Sequence, residues 1–128
     1  MSLHHSSDPL CPLCESKLTQ AHPSLVQWCR GVKAQYPNAH VSWAFRDEAD
    51  QDQALAEGKT KLVWPNSAHN KTPAMALDLF QIDANGLGVW SPQFFVSLAN
   101  TLPNTMKWGG RWKDLGDDDH FELISTPE

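Results

Sequence analysis

The sequence has no long apolar run and no basic cluster. A bilayer-spanning helix needs about 20 consecutive apolar residues, so membrane insertion is not expected. Lys and Arg together number 10 against 15 Asp and Glu, for a net charge of -5. No basic stripe runs along a helix face, which argues against nucleic acid as a partner. Cysteine is scarce: Cys11, Cys14 and Cys29 are an odd number, and a disulfide framework is not expected. The N-terminus lacks a basic start followed by an apolar core and a small-residue cleavage site, so synthesis in the cytoplasm without a signal peptide is expected. The 128 residues suffice for one domain with a real core, but not for a second folded module beside it.

Residues 1 to 20 mix Ser, Pro, Cys and His without periodicity and read as a tail that packs loosely or not at all, ahead of a domain at 21–128. Cys11-Pro12-Leu13-Cys14 has the spacing of half a zinc knuckle, with His22 or Cys29 as conceivable further ligands. No second paired motif exists, and the simpler reading is two exposed thiols in the tail and one buried at Cys29. From Pro23 the pattern turns helical: Leu25, Trp28, Cys29, Val32 and Tyr36 share a face, and Pro37 ends the run. Val41, Trp43 and Phe45 then alternate with Ser42, Ala44 and Arg46 as in a half-buried strand. Asp47 is suited to cap a surface helix that Gly58 closes.

Lys61 to Thr72 reads as a loop. Ala74 to Ile82 predicts a strand with Ala76, Asp78 and Phe80 on one face and Met75, Leu77 and Leu79 on the other. Asp83-Ala84-Asn85-Gly86 has turn chemistry, and Leu87 to Trp90 predicts the returning strand of a hairpin. Ser91-Pro92 opens a helix with Phe94, Phe95, Leu98 and Leu102 as its buried stripe. In His120 to Ile124, Phe121 and Leu123 face one way, His120 and Glu122 the other.

Two short stretches carry the chemistry. Ser67 to Asp78 contains His69 and Asp78, and Asp117 to Leu123 contains His120. Two imidazoles and one carboxylate form the mixed nitrogen and oxygen set that holds a catalytic zinc and leaves a fourth position for water. Asp78 would lie inside an apolar strand, where a carboxylate is costly unless paired or metal-bound. Asp117 stands three residues before His120, a separation that allows a general base beside the metal. Asp118 and Asp119 follow it directly, so chemistry alone does not choose among the three. Glu122 is a candidate acceptor for a ligand imidazole, with a solvated surface Glu as the alternative.

The pattern Ser-x-His, a short loop, Ala-x-Asp, and later Asp-x-x-His-Phe-Glu-Leu resembles the M15 zinc peptidases of bacterial cell walls. It is most similar to their phage endolysin and L-alanyl-D-glutamate endopeptidase branch, and Trp108-Gly109-Gly110-Arg111-Trp112 before the acidic loop is a further match. The resemblance covers roughly residues 40 to 124. It implies His69, Asp78 and His120 as zinc ligands, Asp117 as catalytic base and Arg46 as a substrate-side cation. Ser67 and Trp108 are the candidate substrate contacts, with a turn hydroxyl and a core indole as their plainer readings. The loop from His69 to Asp78 is two residues longer than the commonest form of the family and carries Thr72-Pro73 where Gly is frequent.

The expected fold is α+β, a small and mainly antiparallel sheet with packed helices, like that of the Hedgehog and D-Ala-D-Ala peptidases. The resemblance implies a zinc peptidase domain over 21–128 that cuts the peptidoglycan stem peptide between L-Ala and D-Glu. It also implies a monomer that reaches the cell wall after holin-dependent release. Since an acidic chain is repelled by an anionic wall, contact is expected through the cleft itself. A D,D-carboxypeptidase or dipeptidase of the same fold and a non-catalytic zinc-binding module are the alternatives.

Overall fold

The computed structural model describes residues 12–111 and 118–124. A five-stranded antiparallel sheet forms its centre. Its strands are β1 (Ala39–Trp43), β2 (Ala76–Ile82), β3 (Gly88–Val89), β4 (Met106–Trp108) and β5 (His120–Leu123). The order is β1-β2-β5-β4, with β3 paired to the far end of β2. Among the described residues four α-helices accompany the sheet: α1 (Pro12–Leu18), α2 (Pro23–Gln35), α3 (Glu48–Ala56) and α4 (Pro92–Ala99). The expected α+β class is the one observed.

The two-residue alternation of β2 and β5 divides the sheet into unlike faces. Leu77 and Leu79 of β2 and Phe121 and Leu123 of β5 join α1, α2 and α4 in one hydrophobic core. Leu25, Trp28, Cys29 and Val32 of α2 all enter it, as their helical spacing predicts. Trp28 meets Phe121 with ring centroids 5.1 Å apart. Truncating either ring would cost about 3–5 kcal/mol. From α4, Phe94, Phe95 and Leu98 are buried. The opposite face of β2 and β5 carries Asp78, His120 and Glu122.

Local signals account for the element ends. Pro23 opens α2, and Asp47 caps α3 in a reciprocal box with Asp50. Gly86 turns the β2-β3 hairpin at φ 81°, in the left-handed region that favours glycine.

Three expectations change. The tail read over residues 1–20 gives way at Pro12 to α1, whose Cys14 and Leu18 are buried in the core. One turn of apolar spacing is too short to register as a period, and packing against β1 supplies what local propensity lacks. Cys14 is therefore no exposed thiol. Its Sγ lies 3.3 Å from His40 Nδ1 and accepts from the Val41 amide at 3.3 Å and from Lys33 Nζ at 3.7 Å. Lys33, itself buried, also donates to the Ala39 carbonyl at 2.7 Å. Cys11 lies outside the described residues. Finally, β1 ends at Trp43 after a shift of register beyond Val41, so Phe45 and Arg46 leave the sheet instead of continuing its alternation.

Candidate metal centre

The first stretch is held by a reciprocal cap. Ser67 Oγ accepts from the His69 amide at 3.2 Å, while Asn70 Oδ1 accepts from the Ser67 amide at 3.0 Å, closing the short 3-10 turn Ala68–Asn70. Ser67 is buried, with its hydroxyl engaged beneath the ligand turn. His69 thereby points at the sheet. Its Nδ1–H donates to the Ala44 carbonyl at 2.7 Å, which leaves Nε2 as the lone-pair nitrogen of the neutral ring.

Asp78 and His120 come from neighbouring strands, where antiparallel register makes them direct partners. His120 Nε2 lies 2.6 Å from Glu122 Oε1, so the neutral ring presents the lone pair of Nδ1. Both lone-pair nitrogens converge on one oxygen: Asp78 Oδ1 is 3.0 Å from His69 Nε2 and 3.0 Å from His120 Nδ1. The three candidate ligand atoms lie within 4.8 Å of one another, all on buried residues.

Two lone pairs and a carboxylate oxygen facing one point call for a positive charge there. Protons supply it when no metal is bound. Burial works against the His120 imidazolium, yet hydrogen bonds to Asp78 and Glu122 outweigh it and raise the group to about 10. Burial likewise opposes the Asp78 charge, but the two imidazoles hold its carboxyl well below the usual carboxylate range. A divalent metal would meet the same demand with the mixed nitrogen and oxygen donors that suit zinc. The donor set fits.

Around this point the partners are specific. Glu122, pulled low by His120, also meets Lys107 at 3.4 Å. Arg46 Nη2 lies 3.5 Å from Asp78 Oδ2. Arg46 is buried, and its guanidinium packs 5.0 Å from the Trp43 ring centroid and donates from Nη1 to Gln51 Oε1 at 3.2 Å. The cation expected to face substrate thus lies against the carboxylate of Asp78, a candidate ligand. Trp108 is half-buried, and its Nε1–H donates to the Asp118 carbonyl at 2.7 Å. The indole covers Gly110 so closely that a Cβ at that position would collide with the ring.

His69, Asp78, His120, Arg46, Glu122 and Ser67 are therefore brought into one neighbourhood. Asp117 lies outside the described residues, as does Trp112. Three contributors escape a sequence reading. The Ala44 carbonyl belongs to an unremarkable residue, Gln51 sits in a helix that reads as surface, and Asn70 passes for loop polarity. The Ala44 carbonyl and Gln51 reach His69 and Asn70 across distances no local signal marks, and Asn70, beside its local cap on Ser67, does the same through Arg46 and Gln51.

No protein-family model and no curated relative matches the chain. Among solved structures, the chain is similar to the crystal structure of the Serratia marcescens L-Ala D-Glu endopeptidase ChiX, with a TM-score of 0.70 and 25% sequence identity. The similarity covers 87% of this chain and 86% of that one, so the two share the α+β fold over most of their lengths.

Proposed function

We propose that this protein is a zinc-dependent peptidoglycan peptidase that cuts the L-Ala–D-Glu bond of the stem peptide, of the M15 phage endolysin type. The observation that carries this reading is the convergence of His69, Asp78 and His120 on one point, in a fold shared with an L-Ala D-Glu endopeptidase. Holin-dependent release to the wall belongs to the same reading.

His69, Asp78 and His120 would hold the metal. Zinc, when bound, supplies Lewis acidity toward the scissile carbonyl and toward water. Asp117 takes a proton from the attacking water and returns it to the departing amine. Glu122 and the Ala44 carbonyl keep the two imidazoles in the tautomers that aim lone pairs inward. Arg46 neutralises the outer oxygen of Asp78 and leaves Oδ1 turned to the centre. Ser67 orients the His69 turn, and Trp108 ties down the Asp118 backbone next to Asp117 and is the substrate contact of this reading.

The test is digestion of purified peptidoglycan with and without zinc, by wild type and Asp117→Ala, with mass spectrometry of the fragments. New N-terminal D-Glu that requires both zinc and Asp117 is the expected result. Release of terminal D-Ala would instead mark a D,D-peptidase. A folded, zinc-loaded protein that cuts no wall type would be a binding module.

A further inference from the structure

Gln51 is a fully buried amide on α3, a helix whose other polar side chains mostly face water. A buried amide is retained at a cost unless its donors and acceptors are met. Here they are met in three directions. Oε1 accepts from Arg46 Nη1 at 3.2 Å and from Asn70 Nδ2 at 3.1 Å, while Nε2 donates to the Leu62 carbonyl at 2.7 Å. Asn70 Nδ2 also donates to the Arg46 carbonyl at 3.0 Å.

Two of the three partners lead to the candidate metal centre. Arg46 reaches Asp78, a candidate ligand on β2. Asn70 closes the turn that carries His69, the candidate ligand from the loop. One carbonyl oxygen on α3 therefore ties together the supports of two ligands that come from separate elements.

We propose that Gln51 is a positioning residue of the metal centre: through Arg46 and Asn70 it sets the spacing of Asp78 and His69, and with it the affinity for zinc. This rests on the proposed zinc-peptidase reading. The amide suits the task because it is neutral. A carboxylate there would compete with Asp78 for Arg46, and an apolar side chain would leave Arg46 and Asn70 to turn elsewhere. Arg46 Nε has no hydrogen-bond partner among the described residues, so besides Asp78 and the Trp43 ring the Gln51 oxygen is what fixes the guanidinium.

The experiment is a zinc titration of the full chain, stripped of metal, in competition with a chromophoric chelator. Near-ultraviolet circular dichroism reports the folded fraction, and stem-peptide cleavage is measured in parallel. Gln51→Met keeps the length of the side chain and removes the acceptor; its zinc affinity should fall about 10- to 100-fold, the range seen when partners behind metal ligands are lost. Gln51→Glu keeps the acceptor but competes with Asp78 for Arg46 and loses the donor to the Leu62 carbonyl, so it should recover only part of that loss. A folded Gln51→Met that binds zinc as tightly as wild type would overturn the proposal and leave Gln51 a packing residue of α3. Should Gln51→Met not fold, Arg46→Met reads the same link, and unchanged zinc affinity in that variant overturns it equally. A wild type that binds zinc but cuts no stem peptide defeats the functional reading and not this link. A wild type that binds no zinc defeats both.

Discussion

Asp78 and His120 are register partners across β2 and β5, and the pairing places Asp78 Oδ1 3.0 Å from His120 Nδ1. A slip of one residue would turn His120 into the core and Phe121 out of it. The apolar alternation that builds the core therefore also aligns the candidate ligands. Asp78→Asn preserves shape and register but removes the charge between two imidazoles. Zinc affinity should fall by more than the roughly 100-fold that marks loss of an outer partner, with the secondary structure unchanged by circular dichroism. Retained tight binding would remove Asp78 from the ligand set.

The metal-free protein should have a definite pH profile. The His120 value is raised from an ordinary 6.5 to about 10, so its stabilising contribution is complete below 6.5 and disappears as pH rises toward 10. Asp78 is lowered from an ordinary 3.8, so its contribution is complete above that value and is lost as pH falls below it. Urea midpoints of the stripped protein should peak between these limits and decline on the alkaline side. Zinc needs His120 neutral, so its binding should release protons and strengthen as pH rises from 6 to 8. Affinity independent of pH would contradict the assignment of His120.

Glu122 divides its carboxylate between a buried and a half-exposed partner, His120 at 2.6 Å and Lys107 at 3.4 Å. The two contacts should differ in worth. Glu122→Ala frees the His120 ring and should lower zinc affinity about 10- to 100-fold. Lys107→Ala removes only an ion pair open to solvent and should change stability by less than about 1 kcal/mol. Equal effects in zinc titration and urea denaturation would show that Glu122 serves the surface pair alone.

Trp108→Phe retains a ring over Gly110 and deletes the hydrogen bond to the Asp118 carbonyl. If that bond steadies the backbone next to Asp117, kcat should fall about 2- to 10-fold, the worth of one ordinary hydrogen bond, with KM little changed. A raised KM at constant kcat would instead make the indole a binding wall for substrate. Gly110→Ala should be worse than either, since the new methyl group must displace the indole altogether.

Cys14 and Cys29 are both buried, and burial pushes the Cys29 thiol up to about 12. A thiol reagent added to the native protein at pH 8 should label neither quickly, Cys29 because the thiolate is the reactive form and Cys14 because its sulfur is buried out of reach. Rapid modification at Cys14, located by peptide mass mapping, would show that α1 leaves the core in solution.

Much of this was legible along the chain. The apolar faces of α2, β2, α4 and β5 follow from periodicity, because a side chain's direction in a helix or strand depends on local geometry alone. His69, Asp78 and His120 stand out by residue type, and Asp78 further by its apolar strand. What escaped was non-local. α1 is too short to carry a period, and it forms where Cys14 and Leu18 find the core. Arg46 reads as a cation free to meet substrate, yet the break after Trp43 turns it inward against Asp78. Gln51 reads as one polar residue among many on a surface helix.

The sequence by itself therefore determined the fold class, the core faces and the identity of the candidate ligands, all of which depend on periods and chemistry within a few residues. Only the tertiary structure decided which nitrogen each histidine turns inward, which side of Asp78 receives Arg46, and that a single amide joins them. Most of these depend on hydrogen bonds between residues 9 to 42 positions apart, and the shorter links, His120 to Glu122 and Gln51 to Arg46, serve only because those distant bonds bring their partners in. A one-dimensional pattern contains the donors and acceptors of such bonds, but not their pairing.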